Sequence, residues 1–187
     1  MKKTIDKIRR FFWQIKFFLI RNGYKKGKYI KKKKIFAQIG EKVAYTSVYL
    51  PAEQFLIYIG NNVIIAAGVR LLTNSMECEI FNNSENNEKF YCRFGEIHIG
   101  NNVFIGANAI IMPGINIGNN VVIAAGCVVT KDVKDGNVVG GVPNKVICSF
   151  DELKEKNRVF SSQFRDYIGD GTVESLVYFL KGKSNEK

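Results

Sequence analysis

Between Ile99 and Val133 the hydrophobic and polar positions repeat every six residues without a break. Aliphatic side chains head the units at Ile99, Ile105, Ile111, Ile117, Ile123 and Val129. A small or branched residue recurs four places later, at Val103, Ala109, Ile115, Val121, Cys127 and Val133, and the second place holds Gly100, Gly106, Gly118 or Ala124. Met112 and Thr130 depart from the small-residue pattern. An amphipathic helix repeats every 3.6 residues and a half-buried strand every two, so neither accounts for six.

A hexapeptide β-helix does. Each unit is a short strand and a turn, three units close a triangular coil, and the aliphatic heads stack into a continuous interior. The glycines, and the pairs Asn101–Asn102 and Asn119–Asn120, suit corners that need positive φ. One coil cannot bury its own face, so several must stack. The fold class predicted is therefore mainly β: a parallel β-helix of hexapeptide repeats.

The same pattern enters earlier and less cleanly. Ile39-Gly40-Glu41-Lys42-Val43 is a first unit, followed by a degenerate stretch from Tyr45 to Leu56, then cleaner heads at Ile59, Ile65 and Leu71. From Leu71 to Ile99 the spacing is 28 residues, not a multiple of six, and the intervening residues are polar, asparagine-rich and dotted with aromatics. They predict a loop extruded from one corner over 73–96, where insertions in repeat proteins often build a binding face. After Val133 a turn at Lys134–Gly136 leads to a closing strand, and Ser149 with Glu152 fits a capping box opening a helix. A second helix is expected around Val173–Leu180. The organisation is thus a basic amphipathic segment at 1–34, the β-helix at 35–148 with its loop at 73–96, and a C-terminal helical tail at 149–187.

Charge changes the picture only at one end. Of 28 Lys and Arg residues, 14 lie in the first 34 positions beside one acidic residue, leaving that segment at +13 and the remainder at −2. Ile5, Ile8, Phe12, Ile15 and Leu19 have helical spacing with cations interleaved, a run too short and too charged to span a bilayer. Two readings follow: a helix packed on the end of the β-helix, or a basic helix resting on an anionic membrane surface. Aromatic helix faces are more often packed than lipid-bound, which favours the first. No nucleic-acid motif accompanies the charge, so nucleic acid is not the expected partner. The segment lacks a small-residue cleavage site, pointing to the cytoplasm, at the inner face of the membrane on the second reading. There Cys78, Cys92, Cys127 and Cys148 should be reduced thiols, although a Cys78–Cys92 bridge is geometrically feasible.

The stretch from Ile97 to Val133, with the GVPNKVI close at Gly141–Ile147, resembles the hexapeptide-repeat O-acetyltransferases acting on sugars. The likeness is to the polysaccharide-biosynthesis branch related to galactoside and maltose acetyltransferases, and covers about residues 57–152. It implies a homotrimer of left-handed β-helices with acetyl-coenzyme A in a groove between subunits and a sugar or glycan acceptor entering near the loop. In that family a histidine at the start of the loop takes the proton of the attacking hydroxyl, worth on the order of a hundredfold or more.

Here the matching residues are Leu72-Thr73-Asn74-Ser75, so Asn74 stands at the catalytic position, and an amide cannot accept a proton at neutral pH. Three routes remain open: an inactivating replacement, a carboxylate such as Glu77 or Glu79 acting instead, or transfer by positioning without a base. By the same resemblance Phe104 lies near the thioester, Ala107 and Ala125 meet the pantetheine arm through their backbones, and Thr130, Lys131 and Lys145 flank the adenosine phosphates.

His98 is the chain's single histidine. Alternation turns it away from the interior that holds Ile99, so it reads as a solvated strand residue. One histidine cannot supply a three-histidine zinc site, and no metal is expected. The activity read is acetyl transfer to a sugar hydroxyl. An N-acetyltransferase on an amino sugar nucleotide and a catalytically silent coenzyme A or glycan binder are the alternatives.

Overall fold

The structure, a computed structural model, describes residues 15–84, 88–165, 167 and 172–184, with residues 183 and 184 described by backbone alone. Within the unit that ends at Phe150, three parallel faces wind as a β-helix. The first face stacks Gln38–Ile39, Ile57–Ile59, Ile97–Ile99 and Asn116–Ile117. The second stacks Ala44–Tyr45, Val63–Ile65, Val103–Ile105, Val121–Ile123 and Asn137–Gly140. Antiparallel Lys145–Ser149 closes it. The third is made of Arg70–Leu71, Ile110–Ile111 and Val128–Val129.

The heads of the six-residue units and the residues four places on are all buried, and with the buried residues of the earlier coils they form one cluster. Isoleucine and valine suit this interior because β-branched side chains pack well on pleated surfaces. Partners in the regular coils are 18 residues apart; across the extruded segment the step is 40, and from the first coil to the second it is 20.

The corner between the first and second faces explains the asparagine pairs. Asn62, Asn102 and Asn120 have φ of 54°, 56° and 52°, a left-handed conformation that asparagine tolerates better than most residues. Their neighbours form a ladder: Glu41, Asn61, Asn101 and Asn119 each donate a backbone N–H to the side chain one coil on, at 2.8–2.9 Å, ending on Asp135. Beside it Gly100 allows close stacking, because a Cβ there would lie 2.6 Å from the Gly118 carbonyl oxygen.

The helix Gly23–Lys33 covers the open end of the first coil. Asn22 caps it by accepting from the Lys25 N–H at 3.0 Å, and Lys34 ends it in a left-handed conformation. Gly27 lies against Val43, where a Cβ would meet the carbonyl oxygen at 2.1 Å. Phe17, Ile30, Phe36 and Tyr45 pack beneath. Residues 15–33 are therefore packed on the coil end, while Ile15, Phe18 and Leu19 stay exposed. The first fourteen residues of the predicted amphipathic segment lie outside the described residues. Among the described residues no helix is long and apolar enough to cross a membrane.

The extruded segment is more ordered than a loop. Asn74–Ser75 pairs antiparallel with Arg93–Phe94, the helix Glu77–Ser84 follows, and Cys78 is bonded to Cys92. The disulfide corrects the expectation of four reduced thiols, which rested on compartment: the antiparallel pairing of Asn74–Ser75 with Arg93–Phe94 sets the two cysteines side by side. Cys127 is a free buried thiol, as the repeat predicted. The second unit, from Asp151, contains most of the helix Phe150–Ser162, the helix Val173–Ser184 and an aromatic cluster of Phe160, Phe164, Tyr167 and Phe179.

Candidate active site

The corner between the third and first faces holds Asn74, Thr130 and Lys131 of the expected site residues. The chain passes it once per coil, at Glu53, Thr73–Asn74, Met112–Pro113 and Thr130–Lys131. In the first coil no third-face strand forms; residues 46–56 run irregularly over Arg70–Asn74 instead. The two stretches enclose a cavity of about 170 Å³ lined by Tyr49 to Ala52 and Arg70 to Asn74. Arg70 lies over the Tyr49 ring at 4.5 Å, giving the cavity one cation on an aromatic platform.

Asn74 is half-buried at this cavity. Its Nδ2 donates to Glu53 Oε1 at 3.1 Å and to Oε2 at 3.0 Å, and Thr73 Oγ1 donates to Glu53 Oε2 at 2.5 Å. The Glu53 N–H in turn donates to Thr73 Oγ1 at 3.3 Å. A carboxylate accepting several neutral donors is held in one orientation. Among the described residues no Lys, Arg or His forms an ion pair with it.

Glu77 and Glu79 are both exposed at the start of the arm's helix. Bonds from its own backbone N–H and from Ser75, with Arg93 nearby, hold the Glu77 carboxyl below the usual range, which makes it a weaker base. Cys78, Glu79 and Cys92 come within 4.8 Å of one another, but the two sulfurs are bonded to each other and so cannot act as thiolate ligands.

The residues that the resemblance assigns to the adenosine phosphates also come together. Asn144 Oδ1 accepts from the Thr130 N–H at 3.0 Å, Asn144 Nδ2 donates to the Lys131 carbonyl at 3.4 Å, and Lys145 opens the next strand with its side chain exposed. Leu71, Ile111 and Val129 stack in register, so this cluster stands two coils from Asn74 along the same corner, about 10 Å at the usual strand spacing. Ala107 and Ala125 occupy the opposite edge of the third face, where the Gly126 N–H reaches the Ala107 carbonyl at 2.8 Å. Phe104, 41% exposed, projects from the second face between Ile64 and Val122. Within one chain, Phe104 and the two alanines are thus not gathered with Asn74.

His98 is turned outward as alternation required, yet it is not merely solvated. Its ring stacks on Tyr58 with centroids 4.3 Å apart, and Nε2 meets Glu96 at 2.8 Å. The Glu96 charge raises the Tyr58 phenol above its ordinary value.

Comparison with known proteins puts this geometry in context. The family described as the hexapeptide repeat of succinyl-transferase matches residues 96–131. Protein CapG of Staphylococcus aureus is 43% identical over 132 residues, which span 67% of this chain and 73% of that protein. The chain belongs to the hexapeptide-repeat acetyltransferase family. A galactoside acetyltransferase solved in complex with coenzyme A is 30% identical, with a TM-score of 0.53 over 70% of this chain and 72% of its own. A maltose O-acetyltransferase from Clostridium difficile 630 is 27% identical, with a TM-score of 0.52 over 70% and 78%.

For an acetyltransferase of this family, the residues that pattern reading missed are Glu53, Tyr49, Arg70 and Asn144. Glu53 had one usable signal. The step from the first coil to the second is 20 residues, and 20 positions before Thr73 stands Glu53.

Proposed function

We propose that this chain transfers the acetyl group of acetyl-coenzyme A to a hydroxyl of a sugar in a surface polysaccharide or its precursor. The cavity at the root of the arm carries this reading, because Tyr49, Arg70 and Asn74 line it and the Glu53 carboxylate is bonded to Asn74, the residue that the family resemblance sets beside the acceptor. Support for the donor comes from the coenzyme A held by the galactoside acetyltransferase and from the Thr130, Lys131, Lys145 cluster two coils away. A lysine is a point charge suited to phosphate.

On this reading the coils are left-handed, against the usual hand of parallel crossovers, and three chains form a homotrimer. Phe104, Val142, Val146 and Ile147 are exposed apolar residues of a single chain, at 41, 71, 62 and 63%, and the trimer would cover such surface. It would also carry Phe104, Ala107 and Ala125 of one subunit to the Asn74 corner of the next, so that thioester and acceptor meet between chains. The enzyme works in the cytoplasm. Exposed Ile15, Phe18 and Leu19 beside Lys16 support contact of residues 1–34 with the inner membrane face.

Thiol release from acetyl-coenzyme A is the test, with galactosides and other glycans as hydroxyl acceptors and amino sugars as the contrast. Release that depends on a hydroxyl acceptor is expected. Asn74→His should leave coenzyme A affinity within about twofold of wild type, since position 74 stands two coils from the Thr130, Lys131 and Lys145 cluster. Release with amines alone would move the chain to N-acetyl transfer, and coenzyme A binding without release would mark a silent binder.

A further inference from the structure

The geometry points to Glu53 as the general base of this enzyme, with Thr73 and Asn74 as the residues that position its carboxylate. The inference rests on acetyl transfer to a hydroxyl acceptor. Three observations carry it. Glu53 lies at the corner where the chain has Asn74 in place of a protonatable side chain, and its carboxylate is hydrogen-bonded to Thr73 and Asn74, which line the cavity. The carboxylate is half-buried and without an ion pair among the described residues, so no salt bridge occupies the oxygen that would take the proton. The bonds leave one position open. Oε2 accepts from both Thr73 and Asn74, whereas Oε1 accepts from Asn74 only, and a carboxylate oxygen has two lone pairs.

Asparagine at 74 thereby has a function that the absence of histidine conceals. Its Nδ2 donates to both carboxylate oxygens, at 3.1 and 3.0 Å, and so holds the carboxylate in one orientation. The neighbouring carboxylate on the arm is a poorer candidate, since Glu77 is exposed and has the Arg93 charge near it, whereas Glu53 is half-buried.

The step balances as follows. Glu53 Oε1 takes the proton of the acceptor hydroxyl while the oxygen forms a bond to the thioester carbonyl carbon, whose π electrons move to oxygen. As that tetrahedral adduct collapses, the C–S bond breaks, and the departing sulfur recovers the proton from Glu53. Ester and free thiol leave, and the carboxylate returns to its ionised form with nothing oxidised or reduced.

Purified full-length wild type, Glu53→Gln and Glu53→Ala are compared for thiol release with the hydroxyl acceptor that wild type turns over, and for coenzyme A binding by calorimetry. Gln is close in size to Glu and keeps an oxygen for Thr73 or Asn74. The expected result is a fall in kcat of at least about 100-fold with coenzyme A affinity within about threefold, and turnover of Glu53→Ala that rises with added formate, the missing carboxylate supplied from solution. If Glu53→Gln melts early or loses coenzyme A, the formate dependence of Glu53→Ala decides alone: a rise upholds the assignment and its lack overturns it. Wild-type turnover with Glu53→Gln retaining kcat within about threefold removes Glu53 as base and leaves acetyl transfer standing. A wild type that releases no thiol with any hydroxyl acceptor removes both.

Discussion

The rungs from Ile97 to Val133 and the arm from Asn74 to Phe94 are held together by opposite means. In the rungs each contact recurs. Ile105 is stacked between Ile65 and Ile123, Asn101 between Asn61 and Asn119, and backbone bonds repeat at 2.8–3.2 Å from coil to coil. In the arm each contact occurs once: a two-residue antiparallel pairing, the Cys78–Cys92 bond, and Asn82 clasping Phe90 through bonds of 2.9 and 2.8 Å. Met76, Ile80, Phe81, Tyr91 and Phe94 remain exposed on it. A stack of identical contacts resists change everywhere and can form no special pocket. The candidate site accordingly lies where the repeat is broken, at the arm's root and the irregular first coil, with the rungs fixing its position.

The largest expected effect tests the rungs. Ile123 is fully buried with Ile105 and Val139 in register on either side. Ile123→Ala should cost about 2–5 kcal/mol in urea or thermal unfolding, the transfer loss plus a cavity that stacked neighbours cannot fill. A cost below about 1 kcal/mol would mean the column is not packed as a rigid interior.

Next comes the arm. Cys78→Ser opens a bridge spanning 14 residues, for which chain entropy gives about 3 kcal/mol, yet that loss should fall on the arm alone. The global melting midpoint should hold while proteolysis within 76–92 accelerates. If the midpoint falls as far as in Ile123→Ala, arm and rungs unfold as one unit and the contrast fails.

The same division governs what could be read from the sequence. The rungs announce themselves because one requirement, an aliphatic head facing inward, is imposed at Ile99, Ile105, Ile111, Ile117, Ile123 and Val129 alike. The corner asparagines are legible for the same reason. The hairpin, the disulfide and the Glu53–Asn74 pair are not, since each depends on two residues meeting once, and a single meeting leaves no period. The Thr130, Lys131 and Lys145 grouping was available only by resemblance, and its binding element, Asn144, was invisible because its bonds go to backbone atoms.

A smaller effect sharpens the contrast by attacking repetition itself. Asn119→Ala removes the acceptor for the Asn101 N–H at 2.9 Å and the amide that reaches Asp135. An exposed backbone N–H can turn to water, so the cost should be about 1 kcal/mol. Neighbouring rungs should keep their amide-exchange protection, as adjacent Asn120 still accepts from Asn102 at 2.9 Å. Loss of protection reaching Asn61 would show that the ladder, rather than the aliphatic column, sets the register.

The smallest effect is electrostatic and sits at the ladder's end. Asp135 accepts the Asn119 N–H at 2.8 Å and its Nδ2 at 3.2 Å, and the backbone bond first, then the amide, holds its carboxyl below the ordinary value. A group whose pKa is depressed on folding binds its proton more readily when unfolded. Its contribution is therefore present above the unfolded value, about 3.9, and is lost as pH falls through the folded one. Asp135→Asn should lower stability slightly at pH 6 and by less at pH 3, measured by urea unfolding at both. Because the carboxylate is exposed and screened, the difference should be well below that of Asn119→Ala. A gap between the two proteins that widens on acidification would mean that the carboxylate is repelled in the fold rather than bound, and that the last rung closes by its antiparallel strand alone.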